Sequence, residues 1–391
     1  MMQQGRIPGG VWILGLVSLC MDISSEMIHA LLPVYLVTVL GTSMTTVGAI
    51  EGIAEATASI TRIFSGALSD ALGRRKGLVV LGYALAAITK PIFAVATSVS
   101  WLVTARFVDR VGKGIRGAPR DALIADLSPE AVRGASFGLR QSLDTTGAFL
   151  GPLLAMALLW LTSNDIPRVF WFAVIPASLA VALLVFGVKE PRTPGAARKV
   201  HNPLALAELR RLGPAFRRLA TFAFVFTLAR FSEAFLILKA ESVGLGLTLV
   251  PAVLVLMNLA YAAAAYPAGI LSDRGDRTHM LLIGLMLLLS ADLVLAVADG
   301  LAAVALGVLL WGLHMGFTQG IVASMVADAV PAELRGTAYG VINLVMGIAM
   351  LAASLLAGAL WDVAGPAGTF LSGAAICLLS AMGLPCLRRR P

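Results

Sequence analysis

Charge is the scarce resource in this chain. Of 391 residues only 13% are Asp, Glu, Lys or Arg, while 58% are hydrophobic and the mean hydropathy is +0.88. A soluble domain carries about 25% charged residues, so a water-exposed globular fold is excluded. Cysteine is nearly absent: Cys20, Cys377 and Cys386 all stand in apolar stretches without metal-ligand spacing, and no disulfide framework is implied. No His-Glu-x-x-His, no cysteine cluster, no Gly-x-Ser-x-Gly and no polar domain occurs, so a membrane enzyme or a sensor is the remote alternative, requiring a repurposed scaffold. The apolar start lacks a small-residue cleavage site and runs on too long for a signal peptide, so it is read as a first span.

Long apolar runs are abundant. Twelve stretches are long enough to cross a bilayer as helices, placed at 11–38, 45–69, 77–97, 101–126, 135–161, 168–188, 217–240, 247–271, 279–298, 301–327, 337–361 and 366–387. The expected class is an all-α polytopic membrane protein. The one long polar connection divides it into a six-helix bundle at 1–188, a basic linker at 189–216 and a second bundle at 217–391. Arg74, Arg75 and Lys76, the linker, Arg274, Arg277, Arg335 and Arg388 to Arg390 all fall on one side, which predicts cytoplasmic termini in a bacterial-type inner (plasma) membrane. The net charge of +8 is this bias together with contact to anionic lipid; nucleic acid is not an expected partner.

The halves repeat. Gly66-Ala67-Leu68-Ser69-Asp70 returns as Gly269-Ile270-Leu271-Ser272-Asp273, and the segment Asp126 to Gly134 returns as Asp328 to Gly336. Asp126 to Asp328 and Arg133 to Arg335 are each 202 residues apart. A common offset at several landmarks marks a duplication, a frequent construction in transporters.

Gly66 to Lys76, with Asp70, Gly73 and the basic Arg74-Arg75-Lys76, resembles the signature loop of the major facilitator superfamily at the end of a second span. Asp273 and Arg274 keep its copy. Arg106-Phe107 resembles the start of that family's second motif, and Gly147-Ala148-Phe149-Leu150-Gly151-Pro152 its antiporter motif. The resemblance covers essentially the whole chain. It implies two pseudo-symmetric bundles that rock about a central cavity, with Gly66, Asp70, Gly73, Arg74, Arg75, Asp273 and Arg274 as a conformational latch. It also implies no cofactor, the driving force being a proton gradient.

Span 4 departs from that family. Where small residues are usual it carries Arg106, Asp109, Arg110, Lys113, Arg116, Arg120 and Asp121. At about 100° per residue all seven share one face, and Arg106 to Arg120 extends about 21 Å. Facing lipid, five basic residues would cost on the order of 12–18 kcal/mol, so the face points into protein or a wet cavity. The matching helix Trp311 to Asp328 has His314, Thr318 and Gln319 but no ladder. An architectural need would appear twice, which favours function; the competing reading is an internal ion-pair network.

The candidate proton carriers are Asp22, Glu26, Glu51, Glu55, Asp144 and Glu233, intramembrane carboxylates whose burial and charge partners tune proton affinity. Asp22, Glu26 and His29 share a face of span 1, and static salt bridges to Arg110 or Lys113 are the alternative for the two acids. Candidate cavity residues are His29, Arg106, Asp109, Arg110, Lys113, Arg140, Gln141, Arg230 and Gln319. Lys90 and Asp292 stand isolated in spans 3 and 9 and are assigned no role. Phe222, Phe224, Phe226, Phe231 and Phe235 are read mainly as packing. The function these features point to is proton-coupled antiport of a small polar or anionic solute by alternating access, by a monomer. Alternatives are a divalent-metal exporter using Asp22, Glu26, His29 and Met21, a multidrug exporter, or uptake by proton symport.

Overall fold

The computed structural model describes residues 6–72, 74–129, 132–190, 211–274, 276–331 and 334–387. They form helices and no strand. The first span is α1 (Gly9–His29), interrupted at Ala30 and Leu31 and continued by α2 (Leu32–Val34) and a π-helical turn (Tyr35–Val39). Then come α3 (Met44–Leu72), α4 (Lys76–Val95), α5 (Val99–Leu127), α6 (Arg133–Leu161) and α7 (Ile166–Gly187). The seventh span is split into α8 (Gly213–Leu228) and α9 (Ala234–Ser242); α10 (Ala252–Arg274), α11 (Arg277–Val297), α12 (Leu301–Ala329) and α13 (Arg335–Gly383) follow. Eight helical stretches are long and apolar enough to cross a membrane by length and composition. The charges of α3 and α5, and the break between α8 and α9, keep those three spans outside that criterion. The 49-residue α13 holds spans 11 and 12, joined at Gly365, whose φ of 71° and ψ of −174° interrupt the helix. That left-handed φ suits glycine, and Pro366 follows directly.

Helix starts are written locally. The Asp165 side chain accepts from the backbone N–H of Arg168 at 3.1 Å and caps α7; that of Asp276 accepts from Thr278 at 2.8 Å and caps α11. Glu190 accepts from the backbone N–H groups of Arg75 and Lys76 at the start of α4.

Contacts divide the chain into two compact units, Met1–Leu32 with Thr57–Asn202, and Pro33–Ala56 with Pro203–Pro391. The first unit buries Val11, Leu14, Val17 and Met21 of α1 against Val79, Tyr83 and Ala86 of α4 and Ala177, Ala180 and Leu184 of α7. The second buries Phe216, Leu219 and Ala223 of α8 against Val326 of α12 and Ala338 and Ile342 of α13. Many large apolar side chains stay exposed, Trp160, Phe186 and Val363 among them. Such surface suits lipid.

The duplication is visible in atoms as well as letters. Arg75 pairs with Asp126 at 2.7 Å in the first unit, and Arg277 pairs with Asp328 in the second, both partners displaced by 202 residues. The breaks in span 1 at Ala30–Leu31 and in span 7 at 229–233 fall at the same register. Asp70, Asp273 and Arg274 lie within helices but their side chains, like Gly73, are outside the described residues.

Within the second unit the start of α3 is seated on α13. The Asp362 carboxylate accepts from the backbone N–H of Met44 at 2.9 Å, from that of Thr45 at 2.8 Å, and from the Thr45 hydroxyl at 2.6 Å. A Cβ added at Gly52 would stand 2.8 Å from the Leu351 Cα, so glycine at 52 allows the close crossing. Asp362 thus caps a helix to which it is not joined, satisfying N–H groups the helix cannot satisfy itself. Asp362→Ala is expected to lower unfolding stability in detergent by about 1 kcal/mol, with Asp362→Asn losing less. Unfolding that is unaltered in both variants would show the cap to be energetically silent.

Candidate functional site

The charged face of α5 is internal, as lipid requires. Arg106, Asp109, Arg110, Arg116 and Arg120 are all buried, Asp121 is half-buried, and Lys113 is exposed. Glycines on the two flanks of that face allow close neighbours. A Cβ at Gly112 would lie 2.6 Å from the Gly82 carbonyl oxygen of α4, and one at Gly114 would lie 2.8 Å from the Ala58 carbonyl oxygen of α3. The Ser65 hydroxyl donates to the Gly114 carbonyl at 2.9 Å. Small residues on both flanks thus let α3 and α4 close on the helix beside its long cationic side chains.

Three groups of partners meet that face. In the first, Lys90 of α4 donates to Asp109 at 2.9 Å and to the Ser25 hydroxyl at 3.1 Å. Lys90 is therefore not isolated, as its lone place in an apolar span suggests, but half of a buried ion pair. Its partner comes from the next span, a pairing set by how α4 packs on α5.

In the second, Arg120 donates to the Ser18 hydroxyl at 2.9 Å and to the Tyr83 hydroxyl at 3.4 Å, and pairs with Asp121 at 3.3 Å. The Arg116 guanidinium lies over the Tyr83 ring, 4.7 Å from its centre. Arg140 and Asp144 pair one helical turn apart on α6, and Arg62 reaches Asp121 at 3.1 Å. Arg116 Nη1, Arg140 Nε and Asp144 Oδ1 remain buried without a hydrogen bond.

The third group is Asp22 and Glu26. Gly147 and Gly151 of α6 face them: an added Cβ would stand 2.9 Å from the Asp22 Cβ at position 147 and 2.7 Å from the Glu26 Cβ at position 151. The two glycines of the antiporter-like motif therefore let α6 close on α1 at the positions of Asp22 and Glu26. Arg116, Arg120 and Lys113 act electrostatically on Asp22, as does the like-charged Asp144; Lys113 and Arg110 act on Glu26. Glu26 also meets His29 at 3.4 Å. Several charges thus act on each of the two carboxylates.

The first unit thus gathers Asp22, Glu26, His29, Arg106, Asp109, Arg110, Lys113, Arg140 and Asp144, with Lys90, Tyr83, Arg116 and Arg120 added by the structure. Gln141 is on the same helix as Arg140 but exposed. Glu51, which is buried, and Glu55 belong with the second unit, together with Arg230, Glu233 and the exposed Gln319. There the chemistry is aromatic. Phe231 lies 5.3 Å from Trp311 and 5.5 Å from Phe370, centre to centre, and Phe222 stacks on Phe226 at 5.9 Å. Arg230 lies over Phe226 at 5.8 Å, and buried His314 shares a hydrogen bond with the Gly284 carbonyl at 2.8 Å. Arg230 and Glu233 stand in the break of span 7, where backbone groups leave the helical ladder. Among the described residues no three His, Cys, Asp or Glu side chains gather as a metal site.

Membrane-length helices, a duplicated sequence, paired breaks in spans 1 and 7 and a largely buried row of charges on α5 fit the transporter class of membrane protein. The chain belongs to the major facilitator superfamily, whose family model matches residues 14–253 and 219–391. An uncharacterised MFS-type transporter of Methanocaldococcus jannaschii is 32% identical over 381 residues, covering 95% of this chain and 93% of the relative. The quinolone resistance protein NorA of Staphylococcus aureus is 28% identical over 161 residues, 41% of this chain and 40% of that one. Among solved structures, a POT family transporter in complex with 5-aminolevulinic acid superposes with a TM-score of 0.81 at 14% identity, covering 99% of both chains.

Breaking the Lys90–Asp109 pair from one side leaves a buried charge without its partner. Lys90→Met or Asp109→Leu alone should cost about 3–5 kcal/mol, and the double variant should regain most of the loss, measured by denaturant unfolding in detergent. Additive losses would mean that the two side chains are not coupled. Gly147→Val should push α6 off α1, costing about 1–3 kcal/mol in the same measurement; unaltered unfolding would mean that the crossing tolerates bulk.

Proposed function

We propose that the protein is a proton-coupled antiporter that exports a small polar or anionic solute. The observation that carries this reading is the close approach of α6 to Asp22 and Glu26 at Gly147 and Gly151, within the field of Arg110, Lys113, Arg116 and Arg120. Carboxylates so placed exchange a proton for a charge partner at small cost, because cations already stand beside them. Around them, Lys90, Arg106, Arg110, Lys113, Arg116, Arg120 and Arg140 outnumber Asp22, Glu26, Asp109, Asp121 and Asp144. Surplus buried positive charge, with donors at Arg116 and Arg140 not used by the protein, favours an anionic group on the solute. The direction is supported by the partial similarity to a quinolone resistance protein, since resistance is a phenotype that export produces.

The proposal includes two bundles, 1–188 and 217–391, joined by a cytoplasmic linker at 189–216. The protein works as a monomer in the plasma membrane with both termini in the cytoplasm, takes no cofactor and has no nucleic-acid partner. Gly66, Asp70, Gly73, Arg74, Arg75, Asp273 and Arg274 form the latch. Multidrug export is the second reading, favoured by the aromatic cluster of the second unit.

Everted, energised vesicles with a pH-sensing dye test it. An organic anion should dissipate the proton gradient, Asp22→Asn with Glu26→Gln should abolish the response, and Arg110→Gln and Lys113→Gln should reduce it at least tenfold with the protein still folded. A response confined to cationic drugs would favour the second reading. Solute exchange without proton movement would remove the coupling.

A further inference from the structure

Asp292 is fully buried in the C-terminal half of α11, and neither carboxylate oxygen has a hydrogen-bond partner among the described residues. Its place is made by an absence on the neighbouring helix. A Cβ at Gly373 of α13 would lie 2.6 Å from Oδ2 of Asp292 and 3.1 Å from the Phe231 ring. Phe231 belongs to the break at 229–233 and packs on Trp311 and Phe370, so the carboxyl sits beside an aromatic cluster.

The duplication adds an independent observation. Asp292 is Lys90 displaced by 202 residues, and Trp311 is Asp109 displaced by the same number. The first unit fills this register with a buried ion pair; the second keeps an ionisable group but replaces its partner with an indole. Elsewhere the correspondence is preserved, as in Gly82 with Gly284 and Gly114 with Gly316. A leftover of packing would have drifted to an apolar residue, since an unpaired carboxylate in such surroundings costs several kcal/mol.

The neighbouring titratable groups have contacts of their own, though Arg230 Nε and His314 Nε2 are buried without a hydrogen bond. Cys377 of α13 donates to the Leu285 carbonyl at 3.1 Å, Arg230 lies over Phe226, and His314 of α12 is bonded to Gly284. Lys239 of α9 donates to the Ala298 carbonyl at 2.8 Å. No cation or donor of the described residues stands within hydrogen-bond distance of either Asp292 oxygen, an enclosure that suits an uncharged carboxyl better than a carboxylate.

We propose that Asp292 is a second proton-binding site, held by the second unit and distinct from Asp22 and Glu26. The acid keeps its proton while Phe231 and Gly373 enclose it. When the 229–233 segment shifts, the O–H bond breaks, the proton passes to water as hydronium, and the carboxylate left behind meets water or the guanidinium of Arg230, next to Phe231 in the chain. As a coupling site it rests on the proton-linked reading above, but its proton is observable without any solute.

The test is infrared spectroscopy of the full-length protein in lipid nanodiscs. The wild type is expected to show a protonated-carboxyl carbonyl band that is missing in Asp292→Asn and displaced in Asp292→Glu. The band should shift in deuterated water and lose intensity as pH is raised, and Phe231→Ala should speed the deuterium shift severalfold. Absence of an Asp292 acid band at every pH, or a band that neither exchanges nor titrates while the protein stays folded, would overturn the proposal. A Phe231→Ala variant exchanging at the wild-type rate would overturn the enclosing role of the ring. Failure of the vesicle assay with a titrating Asp292 band would count against the antiport reading alone.

Discussion

A charge inside a bilayer has to find its counterpart within the protein, and much of this structure follows from where that requirement falls. Five buried charges on α5 set the arrangement of the first unit. They force the helix to turn inward, which calls for Gly112 and Gly114 on the two flanks of the charged face, a lysine on α4 and serine and tyrosine hydroxyls within reach of Arg120. The network that results is costly to assemble and costly to break. Such a network has a few discrete arrangements, a property suited to a protein that alternates between states.

The two units share a frame and differ in content. The Arg75–Asp126 and Arg277–Asp328 ties and the breaks in spans 1 and 7 are inherited from a common ancestor of the halves. The charge ladder and the aromatic cluster are not. One half is rich in buried ions and the other in buried rings.

Helix class, span positions, duplication and family were legible because each is a long-range regularity: hydropathy over twenty residues, a fixed offset, a motif at a span end. The inward turn of span 4 was legible too, since the cost of the alternative settles it. What the sequence left hidden depended on helix neighbours. Lys90 looked solitary because its partner comes from the next span, and Gly147 with Gly151 read as a motif without showing that it is where α6 closes on Asp22 and Glu26. The grouping of Glu51 and Glu55 with the second unit was also beyond reach, because a span can change company partway along its length.

The junction at Gly365 carries a mechanical consequence. Spans 11 and 12 meet through one glycine and a proline, with almost no slack between them. A long loop would let each rod turn independently. Here a twist of one must be delivered to the other, or absorbed by the two dihedral angles of a single residue. The Asp362 grip on the start of α3 lies three residues before that joint, so a pull there acts at the elbow of a lever whose far arm is span 12.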